Sequence, residues 1–241
     1  MKKYVNLFVF VFMIGACLSQ GRAQTKSAVS YKNPVVDIAI PDPTVIKAAD
    51  GYFYVYATES TRNVPIMKSK DLVEWTYCNT AFTNKPRPRF EPKAGIWAPD
   101  INYINGKYVL YYAMSVWGGE QTCGIGVATA NSPQGPFTDH GKMFRSNEIG
   151  VQNSIDPSLL QYEGRNYLVW GSFRGIYVIE LTADGLSIMS GAKKKRIAGT
   201  AFEAVYIHKH GDYYYMFASI GSCCQGVKST YKVVVGRSKK V

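Results

Sequence analysis

DPTVIKAADGYFYVYA, residues 42–57, holds the fold in miniature. An acid opens the segment, a short apolar run follows, Asp50 and Gly51 interrupt it, and an aromatic run closes it. The same order returns three times: DINYINGKYVLYYA at 100–113, DPSLLQYEGRNYLVWG at 156–171 and EAVYIHKHGDYYYMFA at 203–218. The interruptions are Asn105-Gly106, Glu163-Gly164 and Gly211-Asp212. Such pairs favour tight hairpins, because both central residues of a type I′ turn need positive φ. Each segment therefore predicts two antiparallel strands, and the opening acids Asp42, Asp100, Asp156 and Glu203 recur every 58, 56 and 47 positions by the numbering. Leu72–Tyr77 and Gly124–Ala130 read as further strands outside the first two hairpins. No long helical period occurs.

Small antiparallel sheets repeated at this interval predict an all-β fold, a β-propeller with about four blades in this chain. In a propeller the innermost strand of every blade lines a central channel. The repeat thus predicts that the four opening acids gather at one mouth of that channel. Like charges gathered in a partly desolvated place repel one another and raise one another's pKa. Such a cluster points to a metal site or to acid–base chemistry. Calcium loops tend to offer acids at alternate positions, whereas here each acid stands alone. Isolated carboxylates aimed at a substrate suit acetal hydrolysis, which needs one carboxyl to give a proton and another to drive attack on the far face of the sugar. Trp97, Trp117 and Phe173 fall near the strand starts, where rings can pack on sugar C–H faces or simply fill the core.

Bulk composition agrees. With 46% hydrophobic and 14% aromatic residues in 241 positions, the chain can bury one substantial core. The formal charge is +11. Lys2, Lys3 and Arg22 belong to a leader, so about +8 remains after it. This charge serves solubility or attracts an acidic polymer; no nucleic-acid motif accompanies it, and Lys193-Lys194-Lys195-Arg196 reads as a solvated loop. Residues 1–23 read as a signal peptide, with Lys2 and Lys3 before the apolar run Leu7–Ala16 and cleavage after Ala23. The alternative Ile14-Gly15-Ala16-Cys17 resembles a lipobox that would anchor Cys17 to lipid. Both place the protein outside the cytoplasm, secreted, periplasmic or on the cell surface. Residues 24–241 then form the propeller domain. Cys78, Cys123, Cys223 and Cys224 lack zinc-ligand spacing, and adjacent Cys223 and Cys224 are either a disulfide or two thiols.

Five motifs carry a more specific resemblance: Pro41-Asp42-Pro43, Trp97-Ala98-Pro99-Asp100, Asn153-Ser154-Ile155-Asp156-Pro157, Gly171-Ser172-Phe173 and Phe202-Glu203-Ala204. With Gly221-Ser222-Cys223-Cys224 and Val235-Gly236-Arg237-Ser238, they resemble glycoside hydrolase family 43, most closely its arabinan endo-1,5-α-L-arabinanase group. The resemblance covers residues 33–241. It implies a five-bladed propeller and inverting hydrolysis of arabinan or arabino-oligosaccharides, with no nucleic-acid partner. It implies Asp42 as general base, Glu203 as general acid and Asp156 as the acid that orients Glu203 and raises its pKa. It further implies that Trp97, Gly118, Asn153, Ser154, Ser172 and Phe173 line the substrate cleft. Asp100 has no catalytic counterpart and reads as structural or as a polar group of the cleft. The alternatives are an exo-acting α-L-arabinofuranosidase or β-xylosidase, and a carbohydrate-binding protein without turnover.

Three departures stand out. Arg174 occupies a place where the family often has Trp, and Val205 one where it often has Pro. A fifth blade is not visible, so the domain reads as incomplete at its C-terminus. With that blade would go a channel histidine tied to structural calcium in complete members; none of His140, His208 or His210 lies in an equivalent motif, and no cofactor is required from this chain.

Overall fold

The computed structural model describes residues 30–241. The signal-peptide and Cys17 readings lie outside the described residues. The chain divides after Lys32, and the architecture below is that of Asn33–Val241. Four antiparallel sheets follow one another along the chain. Blade 1 contains β1 (Thr44–Lys47), β2 (Phe53–Tyr56), β3 (Pro65–Ser69) and β4 (Thr76–Thr80). Blade 2 contains β5 (Gly95–Ile104), β6 (Lys107–Ser115), β7 (Gly124–Ala130) and β8 (Thr138–Arg145), followed by the single turn of α1 (Ser146–Ile149). Blade 3 contains β9 (Ser158–Tyr162), β10 (Arg165–Trp170), β11 (Ile176–Glu180) and β12 (Lys195–Ala198), and blade 4 contains β13 (Glu203–His210), β14 (Tyr213–Ile220) and β15 (Lys232–Ser238). This is a β-propeller arrangement with four blades, all-β apart from α1 and a 3₁₀ turn at Gly226–Lys228.

The hairpin signals act locally. Asn105 and Gly106 both take positive φ (48° and 80°), as do Glu163 and Gly164 (49° and 73°), so two residues suffice to reverse the chain. Asp50 works through its side chain in a longer turn, accepting from Tyr52 N at 3.0 Å and from the Tyr54 hydroxyl at 2.7 Å. The expected strand Leu72–Tyr77 is displaced. Asp71 accepts from the backbone N–H groups of Val73 and Glu74, making a turn there, and β4 starts only at Thr76. Gly124–Ala130 is β7, the third strand of its blade rather than the edge. The basic run is half strand: Lys195 and Arg196 open β12, both exposed.

Blades pack face to face, and the core consists of the layers between them. Leu110 and Tyr112 of β6 pack with Tyr54, Tyr56, Ile66 and Phe82 between blades 1 and 2. Val109 and Tyr111, on the opposite face of the same strand, pack with Leu168, Trp170 and Phe144 toward blade 3. Val205 and Ala218 meet Leu160, Val169 and Ile176 between blades 3 and 4. Each fully buried Val, Leu, Ile or Phe among them contributes about 1.5–3 kcal/mol. Among the described residues no helix is long and apolar enough to cross a membrane.

Candidate active site

One backbone feature sets the phase of every inner strand. Asp42, Ala98, Asp156 and Ala204 all take positive φ, between 40° and 58°. A non-glycine residue held there costs on the order of 1–3 kcal/mol and persists only where the surroundings enforce it. Pro43, Pro99, Pro157 and Val205 follow, the first and third just ahead of β1 and β9 and the other two within β5 and β13. This common frame corrects the sequence alignment of the acids. Asp42 and Asp156 occupy equivalent places, Glu203 stands one residue earlier, and Asp100 stands two residues later. Register shifts between Trp97 and Asp100, and between Glu203 and Tyr206, accompany the offset.

Asp100 therefore belongs to a deeper layer with Thr44, Ser158 and Tyr206. It accepts from Leu159 N at 2.7 Å, Asn102 Nδ2 at 2.7 Å and Thr44 Oγ1 at 3.4 Å, so one carboxylate joins blades 1, 2 and 3. Burial pushes its pKa up to about 6 against these hydrogen bonds. The charge of Asp100 adds to burial in raising the Tyr206 hydroxyl. Both oxygens are engaged, Oδ1 by Thr44 and Oδ2 by Asn102 and Leu159, which suits a structural acid.

Asp42, Asp156 and Glu203 are brought together at the upper layer. Burial first, then the charge of Glu203, then that of Asp42 raise the Asp156 pKa well above the ordinary carboxylate value, opposed by a hydrogen bond from the Ala204 backbone. Asp156 thus sits within reach of both neighbours' fields. The two flanking acids differ in exposure and are held alike. Asp42 is open to solvent and accepts from Thr58 Oγ1 at 2.5 Å; that hydroxyl in turn accepts from Ala98 N at 2.7 Å. Glu203 is buried and accepts from Ser172 Oγ at 2.6 Å. Thr58 and Ser172 lie at the same place in their blades, two residues beyond the ends of β2 and β10. Burial raises the Tyr231 hydroxyl, opposed by Ser219 and reinforced by the charges of Glu203 and Asp156, so Tyr231 lies in the field of these acids. It is delivered by the loop after β14, where Ser222 and Thr230 exchange two hydrogen bonds and Cys223 is disulfide-bonded to Cys224. Gly221 permits this neck, since a Cβ there would meet Thr230 O at 2.5 Å.

The cleft residues expected from sequence separate into two groups. Trp97 is half-buried beside Ala98 and packs against Trp117, which is 80% exposed, with ring centroids 6.2 Å apart. Gly118 follows in the same exposed loop, with φ of 80°. Phe173 takes φ of 50° and donates its N–H to Phe202 O, at the mouth beside Glu203. Asn153 donates Nδ2 to Ser172 O at 3.1 Å. Ser154, by contrast, is fully buried: its hydroxyl donates to Val151 O and accepts from Trp170 Nε1, and its N–H donates to Ser146 Oγ. It braces the turn and offers nothing to a cleft. Ser172 is nearly as buried, and its proton is committed to Glu203.

Sequence reading missed Thr58, Tyr231 and Glu120. Thr58 was detectable as the blade 1 counterpart of Ser172, and Tyr231 as the aromatic residue four positions before the Val-Gly-Arg-Ser motif. Nothing local marks Glu120. It receives a fork from Arg174, Nε at 3.0 Å and Nη2 at 2.9 Å, together with Gln152 Nε2 at 2.6 Å. Arg174, in place of an aromatic side chain, thus ties the mouth loop of blade 3 to that of blade 2. Among the described residues no group of three His, Cys, Asp or Glu side chains is arranged to hold a metal ion.

The sequence pattern of glycosyl hydrolases family 43 matches residues 31–241. The extracellular endo-α-(1→5)-L-arabinanase 1 of Bacillus subtilis is 37% identical over 213 residues, which are 83% of this chain and 65% of that protein. The extracellular exo-α-(1→5)-L-arabinofuranosidase of Cellvibrio japonicus is 35% identical over 232 residues, 85% of this chain and 65% of that protein. This chain thus spans about 65% of the length of these curated relatives. Among solved structures, the α-L-arabinanase of Cellvibrio cellulosa superimposes with a TM-score of 0.75 at 31% identity, covering 85% of this chain and 72% of that one; it has also been solved with arabinohexaose.

Proposed function

Because the chain belongs to glycosyl hydrolases family 43, we propose that it acts as an exported hydrolase cleaving α-1,5-linked L-arabinan internally, with inversion at the anomeric carbon. Asp42 is the general base, Glu203 the general acid and Asp156 the positioning acid between them. The observation that carries this reading is the coupling of Asp156 to both flanking carboxylates. Repulsion among clustered acids favours retention of a proton, and acid catalysis needs a proton to give.

The roles follow from surroundings. Asp42 is open to solvent, so a water can sit against its free Oδ1 while Thr58 fixes Oδ2. The carboxylate takes a proton from that water as oxygen attacks the anomeric carbon. Glu203 is buried, with Oε2 held by Ser172, and gives its proton to the leaving glycosidic oxygen on the opposite face of the ring. Inversion requires about 6.5–9.5 Å between base and acid, room for the sugar and one water. Asp156 stands between the two and orients Glu203 for that transfer. Trp97 and Trp117 supply an aromatic wall for furanose C–H faces.

The extracellular arabinanases among the relatives support both export and the arabinan substrate. One observation bears on the exo reading: the Glu120–Arg174 fork bridges the mouth loops of blades 2 and 3, where an exo enzyme would close its pocket. Debranched linear arabinan separates the two. Endo cleavage yields a ladder of oligosaccharides and a rapid fall in viscosity, while exo cleavage releases one short product with viscosity almost unchanged. Proton NMR of the first product gives its anomeric configuration; retention would remove the inverting mechanism, and no turnover of any arabinan would remove the assignment.

A further inference from the structure

A cavity of about 380 Å³ lies outside the carboxylate trio, between the Arg87–Ala94 segment and Met114. That volume is at the lower end of the roughly 300–1,000 Å³ typical of ligand sites. Four cationic side chains line it: Arg62, Arg87, Arg89 and Lys93. Arg87 is neutralised, because Glu59 receives its fork and Asn63 Oδ1 accepts at 2.8 Å. Glu91, the acid in the lining, is paired with Arg145 at 2.8 Å and accepts from Thr122 Oγ1 at 3.0 Å. Three positive charges remain over. Arg62 and Arg89 bond only the neutral side chain and backbone of Asn84. Neither they nor Lys93 lies within ion-pair distance of an acid among the described residues. Residues 1–29 contain no Asp or Glu that could supply one.

The place of the cavity gives this charge a meaning. Glu59 follows Thr58, the residue that holds Asp42, and its Oε1 accepts from Ile96 N, next to Trp97. Thr122 belongs to the loop that carries Trp117 and Gly118. The cavity therefore flanks the proposed cleft on the side of blades 1 and 2. Its walls combine apolar surface, from Pro88, Pro92 and Met114, with uncompensated guanidinium and ammonium groups. A ring with C–H faces and one carboxylate matches that combination, since guanidinium groups recognise carboxylates through paired hydrogen bonds.

We propose that this cavity is an anion subsite that takes the carboxylate of a uronic acid residue, so that the protein engages an acidic polysaccharide beside the glycan it cleaves. The choice of a glycan as ligand rests on the proposed function; the anion site itself rests on the charge and shape of the cavity. Three cations converging on one concavity suit a single carboxylate better than the evenly spaced phosphates of a nucleic acid.

The test compares binding of the purified chain to polygalacturonate, neutral linear arabinan and single-stranded DNA at low and moderate ionic strength. One variant combines Arg62→Gln, Arg89→Gln and Lys93→Gln. Its control combines Lys193→Gln, Lys194→Gln and Lys195→Gln, which removes the same charge from an exposed region elsewhere. The cavity variant is expected to lose about tenfold to a hundredfold in affinity for polygalacturonate. The control should stay within about twofold, because distant exposed charges are screened. Lys93→Gln alone, a single exposed change, guards against misfolding of the triple variant and should show part of the loss. Equal losses in cavity and control variants would overturn the proposal, as would DNA binding as tight as polygalacturonate binding, or no polygalacturonate binding at all. Turnover of neutral arabinan should not change in the cavity variant. If no version cleaves arabinan yet the cavity-dependent binding persists, the hydrolase reading fails and the anion subsite stands.

Discussion

Blades 2 and 4 open with the same kind of long hairpin, β5–β6 and β13–β14, and have opposite environments. In blade 2, eight of the nine residues of β6 are buried, because a blade covers each face of the sheet. In blade 4, Val234 turns toward blade 3 while its neighbours Val233 and Val235 are 65% and 60% exposed, with Phe217 opposite Val235. The chemistry follows the reverse order. Blade 2 contributes Asp100, a buried acid spent on joining three blades, and blade 4 contributes Glu203, the acid assigned here to bond cleavage. Stability is concentrated where both faces are covered, and reactivity lies where the sheet meets the open mouth.

The sharpest break of this contrast comes from Glu203→Gln. The amide keeps the shape and the Ser172 contact but has no proton to give. Turnover of arabinan should fall by about 10²–10⁴-fold with the thermal midpoint little changed; full activity in this variant would remove Glu203 from the mechanism. Leu110→Ala in blade 2 should do the opposite. It opens a cavity between two covered faces and should cost about 2–5 kcal/mol in urea unfolding, with the specific activity of the remaining folded protein retained.

Asp100 sharpens the contrast through pH. Its folded pKa, about 6, lies above its ordinary value of 3.8, so between those values the folded state binds more protons than the unfolded one. Its contribution is complete below about pH 4 and is lost as pH rises through about 6. Asp100→Asn removes this dependence. Between pH 4 and pH 8 the wild type should lose up to about 3 kcal/mol relative to the variant, whatever the constant cost of the substitution. Parallel stability curves for the two proteins would contradict a buried, pH-sensitive Asp100. The smallest effect belongs to the uncovered face. Val233→Thr and Val235→Thr should each shift stability by no more than about 0.5 kcal/mol, and a larger loss would show that the face is covered in solution.

What could be read from sequence was local. Alternation along 42–57 and its three echoes needs only the pleat of a strand, and Asn105-Gly106 needs only two residues to turn. Those features determined the blades, their order and the acids worth attention. Whether the four acids share a layer is a different kind of fact. It depends on a left-handed residue ahead of β1 and β9 and inside β5 and β13, and on register shifts at Trp97–Asp100 and Glu203–Tyr206, which neighbouring strands impose. The tertiary structure alone therefore moved Asp100 a layer deeper, withdrew Ser154 from the cleft, and set Thr58 and Ser172 against the carboxylates. It alone joined Glu120 to Arg174 across 54 positions and left Arg62, Arg89 and Lys93 facing one cavity without an acid. Periodicity fixes which way a side chain points along its own strand; which charges meet depends on how separate blades pack, and no stretch of sequence contains that distance.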